Sequence, residues 1–389
     1  MSKPHILFVP SWYPTAATPL LGIFFQEQAH ALRDAGHRVG VVYADIRSPK
    51  FLSVEQLIKG HFQTTFQREE GIDVVRFHGW HPPKARRLGT QLYRLATARI
   101  VGSYIRRFGR PDLLHAQGTL WGGVAACEAA RRYRIPYLVT EHSSVFSRKL
   151  VSAWETPYLE RVLASAASVL TVSGSLAREL AGYRGGGEIR VVPNAVDTSF
   201  FAPFEGSKPR TPFVFLSVAN LNPNKGTDLL LKAFARSFSG RTDVALEVGG
   251  DGPQRRSLEE LAAALGISPQ VRFLGALSRE QVRQAMWRAS VLVVSSHVET
   301  FGVVAIEAMA TGLPVIATRC GGPEEIVVPG TGLLVEAGSV ESLAGAMENV
   351  CQGAPFDPRH IRSYAVENFG RERLVERLAL VYQQIQAAC

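Results

Sequence analysis

Two glutamates and a lysine carry the chemistry that can be read first from this sequence. Glu299 and Glu307 flank the run Thr300-Phe301-Gly302-Val303-Val304-Ala305-Ile306. A carboxylate can accept two hydrogen bonds from neighbouring hydroxyls, so Glu307 could hold a ribose and Glu299 a hexose. Phe301, Gly302 and Val303 would present backbone N–H groups where a helix begins, and such ends attract phosphate. Gly302 leaves room for close backbone approach. Lys225 stands before a second helix and can meet a diphosphate as a point charge. His142 follows an apolar strand and would point into any cleft. Each has a plainer reading. Acids near a helix start are favoured by the dipole alone, exposed lysines are usually solvated, and a lone strand-end histidine is more often structural.

The elements that must position these groups follow from periodicity. Residues 289–294 are a short β-branched apolar run that predicts a buried strand. Residues 303–310 favour a helix, stopped by Gly312-Leu313-Pro314. Glu299 then lies on the loop at the strand's carboxyl end and Glu307 in the opening turns of the helix. The same plan recurs along the chain. Strands are predicted at 5–9, 39–43, 74–77, 113–115, 137–140, 169–172 and 189–192, with helices between most of them, including 24–34. A second series begins with a strand at 213–218 and a helix at 227–238. Strands at 244–248, 271–275 and 315–318 and helices at 340–351 and 371–386 follow. Alternation of this kind predicts parallel, doubly wound α/β sheets with ligands beyond the strands' carboxyl ends. Gly22 would lie there, in a long first loop where backbone could approach a phosphate, although no dinucleotide fingerprint occurs. The Gly249-Gly250-Asp251-Gly252-Pro253 turn opens another helix, and a base could be gripped by main-chain groups of the strand around Arg272 and Leu274. The texture changes between Glu188 and Phe201, and 204–212 reads as a linker between domains.

Composition narrows the class. A chain of 389 residues, 46% hydrophobic and 20% charged, is globular and most naturally two domains. Cys127, Cys320, Cys351 and Cys389 are scattered, without metal spacing or a disulfide framework, which fits a reduced cytosolic setting. No apolar run is long enough to span a membrane, and the N-terminal strand is too short for a signal peptide. The net charge of +9 is uneven: residues 1–190 hold 25 Lys and Arg against 14 acids, and residues 191–389 hold 18 against 20. The excess gathers in Lys84, Arg86, Arg87, Arg94, Arg99, Arg106, Arg107 and Arg110. Leu88, Leu92, Leu95, Ile100, Val101, Tyr104 and Ile105 sit among them at roughly helical spacing. A basic amphipathic helix of this kind suits an anionic membrane surface or an acidic acceptor, or else a solvated face packed by its apolar side. No nucleic-acid motif accompanies the charge.

Together these segments resemble the family-4 retaining glycosyltransferases of the GT-B fold. The resemblance covers nearly the whole chain and rests on Glu299-Thr300-Phe301-Gly302 through Glu307, on Asn220 through Lys225-Gly226, and on the Gly249–Pro253, Pro193–Asp197 and Ser11–Gly22 segments. It implies two Rossmann-like, doubly wound domains facing a cleft. Residues 1–195 would bind the acceptor and 196–370 the nucleoside diphosphate sugar, with 371–389 crossing back to the first. It places Glu299 on the donor sugar, Glu307 on the ribose, and the backbone at Phe301, Gly302 and Val303 on sugar and phosphate. Lys225 would meet the diphosphate, Gly22 the phosphates, and His142 the donor sugar or leaving group. Where the family commonly has Arg, this chain has Asn220, which brings a hydrogen bond without charge.

The reading implies a transferase that moves a hexose, with retention, from a UDP-linked donor to a glycan, lipid-linked or anionic acceptor. No cofactor or metal is expected, because no Asp-x-Asp pair occurs. The protein would be cytoplasmic, with possible partners at the inner membrane face. A glycosidase acid and nucleophile fit this strand–loop–helix context poorly. A nucleotide-sugar epimerase of the same fold and a non-catalytic sugar-binding module are the alternatives.

Overall fold

The structure is a computed structural model that describes residues 3–15, 18, 21–47, 53–55, 61–80, 86–206 and 211–388. Lys84, the Arg86 side chain, residues 207–210 of the expected linker and Cys389 lie outside the described residues. The chain divides into two compact units. The first holds the chain to Val172, Leu176–Val192 and Leu374 onward; the second holds Ser173–Ser175 and Pro193–Arg373.

The first unit opens β1 His5–Pro10, α1 Ile23–Asp34, β2 Arg38–Arg47, β3 Gln63–Glu69, β4 Ile72–Trp80 and α2 Arg86–Phe108. It continues with β5 Leu113–Gln117, α3 Val124–Tyr133, β6 Tyr137–Glu141, α4 Thr156–Ser165, β7 Ser168–Thr171, α5 Gly174–Arg184 and β8 Ile189–Val191. The strand order is β3-β4-β2-β1-β5-β6-β7-β8. Every pairing is parallel except β3 with β4. All of β1, β5 and β6 is buried, as continuous apolar strands covered on both faces require.

β3 was not expected from the sequence. Its residues, Gln-Thr-Thr-Phe-Gln-Arg-Glu, are mostly polar and face solvent at the sheet edge. A two-residue hairpin sets it, with Glu70 at φ 46° and Gly71 at φ 85°, the left-handed pair that matches strand twist. Helix α2 is longer and less cleanly two-faced than its spacing suggested. Ile100, Val101 and Tyr104 are buried, whereas Leu88 and Leu95 are 48% and 56% exposed.

The second unit runs β9 Phe213–Val218, α6 Thr227–Phe238, β10 Val244–Gly249, α7 Arg255–Ala264, β11 Val271–Gly275, α8 Arg279–Arg288 and β12 Val291–Val294. Then come α9 Val303–Ala310, β13 Val315–Thr318, α10 Pro323–Ile326, β14 Gly332–Val335, α11 Val340–Cys351 and α12 Pro358–Phe369. Its six parallel strands lie in the order β11-β10-β9-β12-β13-β14, the order of a dinucleotide-type doubly wound sheet. Phe215, Phe234, Phe238, Leu246, Val291 and Met347 anchor its core. The short β14 and helix α12 were not foreseen.

The linker expectation needs correction. Residues on both sides of 207–210 belong to the second unit. Trp287 of α8 donates its indole N–H to Ala202 O at 2.8 Å and packs on Phe204, so aromatic contacts hold this stretch to the second sheet's helices. The last helix, α13 Arg371–Ala388, supplies the first unit from Leu374 on. There Tyr382 is fully buried and its hydroxyl meets His115 Nδ1 at 2.8 Å.

Candidate functional site

In the second sheet the strand order reverses between β9 and β12, and the crevice beyond the carboxyl ends at such a point is where open α/β sheets hold ligands. The loops that leave these two strands are 219–226 and 295–302, and they are laced together. Asn224 O accepts from His297 N–H at 2.8 Å, Asn224 Nδ2 donates to Val298 O at 2.7 Å, and Ser295 Oγ donates to Lys225 O at 3.0 Å. Asn222 caps the short turn Pro223–Lys225 by accepting from Asn224 N–H at 3.0 Å. Gly226, left-handed at φ 60°, then turns the chain into α6. The lacing brings Lys225 Nζ into an ion pair with Glu299 Oε2. Both side chains remain partly open, at 24% and 17% exposure, so the pair is reachable by a ligand and only partly screened by water.

Glu299 is fixed through its own backbone. Its N–H donates to Cys320 O at 2.9 Å and its carbonyl accepts from Gly322 N–H at 2.7 Å. Burial pushes the Cys320 thiol up to about 11, so it stays neutral beside the pair. Helix α9 begins at Gly302, whose φ is +99°. A Cβ there would meet nothing closer than 3.6 Å. The glycine is therefore demanded by its left-handed backbone, not by crowding from the protein. The first bond of the helix runs from Ala305 N–H to Gly302 O at 2.9 Å, leaving the N–H groups of Val303 and Val304 ahead of it at the positive end of the dipole. Glu307 sits one turn further in, half-buried.

The remaining second-unit candidates lie on the same sheet end. Gly250 N–H donates to Gly275 O at 2.7 Å, and a Cβ at Gly250 would fall 1.8 Å from Ala219 O, so only glycine closes this turn. Arg272 and Leu274 are on β11, the outermost strand, whose free edge leaves main-chain groups unclaimed by a neighbouring strand. The Arg272 guanidinium itself is exposed and lies 3.5 Å from Glu247. Asn220 is exposed, and its side-chain oxygen accepts from Asn222 Nδ2 at 3.2 Å.

Gly22 and His142 belong to the first unit. Gly22 caps α1 at φ 77°, and a Cβ there would lie 2.7 Å from Trp12 O. His142 is 8% exposed. Its Nε2 meets Gln117 Oε1 at 2.8 Å and its ring packs on Phe24 and Phe25, so it is lodged among strand-end side chains and does not project freely. The residue that organises this end escaped the sequence reading. Glu141, 1% exposed, accepts from the N–H groups of Thr119, His142 and Ser143 at 2.7, 2.8 and 2.7 Å and from Ser143 Oγ at 2.8 Å. The available signal was an acid closing the short strand Tyr137-Leu138-Val139-Thr140, where a buried carboxylate needs several donors. Among the described residues no group of three His, Cys, Asp or Glu side chains is arranged to hold a metal ion.

Two doubly wound sheets, parallel but for the β3–β4 pair, make this a GT-B fold, with a lysine–glutamate pair and a helix start at the switch point of the second. The sequence model described as glycosyl transferases group 1 matches residues 199–367, and the one described as glycosyltransferase family 4 matches residues 21–200. The two models together span residues 21–367, a likeness to family-4 glycosyltransferases along most of the chain. It is 30% identical to a glycogen synthase of Mycobacterium tuberculosis over 269 residues, which are 66% of this chain and 64% of that protein. The chain thus spans under two thirds of that relative's length. Its fold is that of sucrose-phosphate synthase from Thermosynechococcus elongatus, at TM-score 0.79 and 22% identity over all of both chains. Anabaena HepE, solved in complex with UDP-glucose, is similar over 98% of this chain and 100% of its own, at TM-score 0.72 and 23% identity.

Proposed function

We propose that the protein transfers a hexosyl group, with retention at the anomeric carbon and without a metal, from a UDP-linked sugar to a carbohydrate or lipid-linked anionic acceptor. The observation that carries this reading is the Lys225–Glu299 ion pair at the switch point, beside the start of α9. A nucleoside diphosphate sugar brings what each partner lacks. Its phosphates offer Lys225 a second anion, and its hexose offers Glu299 hydroxyl donors. The N–H groups leading into α9 would take phosphate oxygens, and Glu307 the ribose hydroxyls. A UDP donor is supported by the fold shared with a protein crystallised with UDP-glucose.

In the reaction the bond from the anomeric carbon to the phosphate oxygen breaks and negative charge grows on the diphosphate. Lys225 and the α9 dipole are fixed before that charge appears, so they stabilise the transition state without reorganising; one such donor is worth about 3 kcal/mol. The acceptor oxygen enters from the face the phosphate leaves, forming the new glycosidic bond. Its proton passes to the departing phosphate oxygen, which balances the step. Roles for Gly22 and His142 toward the donor are part of the same proposal.

The outward side of α2 supports a peripheral membrane location. Leu88 and Leu95 are exposed on the helix that also carries Arg87, Arg99, Arg106 and Arg107, a mixture that suits anionic lipid. No helix among the described residues is long and apolar enough to cross a membrane. The deciding experiment is a thermal-shift series with UDP, ADP, GDP and their glucose conjugates, since a ligand of the native state raises its apparent stability. Transfer of labelled hexose to an added acceptor in the presence of chelator then separates this reading from epimerisation and from metal-dependent transfer. Activity that disappeared with chelator and returned with Mg²⁺ would overturn metal independence.

A further inference from the structure

The first unit has a switch point of its own, between β1 and β5. The loops leaving β1, β5 and β6 there enclose a cavity of about 380 Å³. Its wall holds two indoles, Trp12 and Trp121, with Tyr93, Ser143, Ser144 and Arg148. The indoles are fixed from behind by rings outside the cavity: Trp12 lies parallel to Phe25, at 6.4 Å and 6°, and Trp121 to Trp154, at 5.5 Å and 18°. The loop holding Arg148 is tied by Arg148 N–H to Ser144 O at 2.9 Å and Leu150 N–H to Val145 O at 2.8 Å. Its guanidinium is exposed and makes no side-chain hydrogen bond or ion pair with a described residue. The acid in the wall, Glu155, is 1% exposed and accepts from Ser152 N–H at 2.8 Å. The charge offered to a ligand is therefore that of Arg148.

We infer that this cavity is the acceptor subsite and that Arg148 makes it select a saccharide unit bearing an anionic group, either carboxylate or phosphate. The inference rests on the transferase reading above and names its acceptor class. Pre-fixed aromatic walls bind a sugar's C–H face at small entropic cost, the serine hydroxyls meet its alcohols, and a guanidinium fork suits carboxylate or phosphate. The tryptophans set that a ring is bound, and Arg148 sets which ring.

The test uses the full chain. UDP binding is measured first; its absence would remove the UDP-dependent transferase reading, whatever the cavity does. With UDP at saturation, tryptophan fluorescence then follows titration with methyl glucuronide, glucose 1-phosphate and methyl glucoside. At least one anionic probe should bind about tenfold more tightly than the neutral one, and the tighter of the two identifies carboxylate or phosphate. R148A should abolish the preference and leave UDP affinity unchanged, and R148K should restore part of it. W121A should weaken all three probes together; because it disturbs a stack, the exposed R148A variant decides. Equal affinity for charged and neutral probes, or a preference that survives R148A, would overturn the inference while leaving the donor reading intact.

Discussion

Lys225 and Glu299 are ion-paired across the loops leaving β9 and β12, although 74 residues separate them in the chain. Each holds the other's charge until a ligand with both an anion and hydroxyls replaces the contact. The two residues should therefore respond differently to substitution. Lys225→Ala should weaken UDP and UDP-hexose alike and lower kcat about 10²–10³-fold. Glu299→Gln leaves the lysine without its acid, so UDP should bind at least as well as before while the extra affinity contributed by the hexose is lost. Calorimetric titration of both variants with UDP and UDP-glucose measures this, and parallel losses in the two would contradict it.

Gly302 and Gly322 separate backbone conformation from crowding. Gly302→Ala keeps free space around the new Cβ but forces φ +99° on alanine, which costs about 1–2 kcal/mol. Tm should fall modestly and UDP affinity with it. Gly322 has ordinary helical angles, yet its Cβ would lie 2.3 Å from Phe301 Cα. Gly322→Ala should therefore be the more damaging substitution, because two backbones must move apart. A thermal-shift comparison of the two variants tests the order.

His115 gives the first unit a pH dependence. Burial holds its imidazole down to about 3, against about 6.5 in an unfolded chain. Its contribution is complete above pH 6.5 and is lost as pH falls toward 3, because the unfolded state takes up a proton that the folded state refuses. The slope attributable to this one group is at most about 1.4 kcal/mol per pH unit. Urea midpoints between pH 4 and 7.5 should show that slope shrinking in His115→Asn relative to the parent protein.

The membrane proposal is tested on α2. Vesicles containing phosphatidylglycerol should retain the protein at low salt and release it as salt screens the arginines, whereas phosphatidylcholine vesicles should not retain it. Leu95→Ser should weaken retention several-fold, to an extent set by how deeply the side chain inserts. Retention indifferent to lipid charge would remove the electrostatic part of the proposal.

Much of this architecture was legible because parallel buried strands write themselves as unbroken apolar runs; residues 213–218 and 315–318 were placed to the residue, as was the edge strand 271–275, which Arg272 interrupts. The polar edge strand β3 was not, since a hairpin turn and its β4 neighbour hold it there. The linker misled because Pro and Gly punctuate loops within a domain as readily as between domains, and the Trp287 contacts show where that stretch is held. Glu299, Glu307 and Lys225 could be named from spacing, yet the contact between Lys225 and Glu299 depends on strand order. The Trp12–Trp121–Arg148 wall was invisible for a similar reason. Its members come from loops after three different strands, and no local pattern joins them.

Tyr382 lies near the end of the chain and fills the base of a sheet that begins at residue 5. During synthesis that first sheet waits, with His115 lacking its hydroxyl partner, until the second unit, Pro193–Arg373, has left the ribosome. A product cut short before Leu374 would emerge with an open seam in the first unit, and this gives proteolysis a simple way to recognise it.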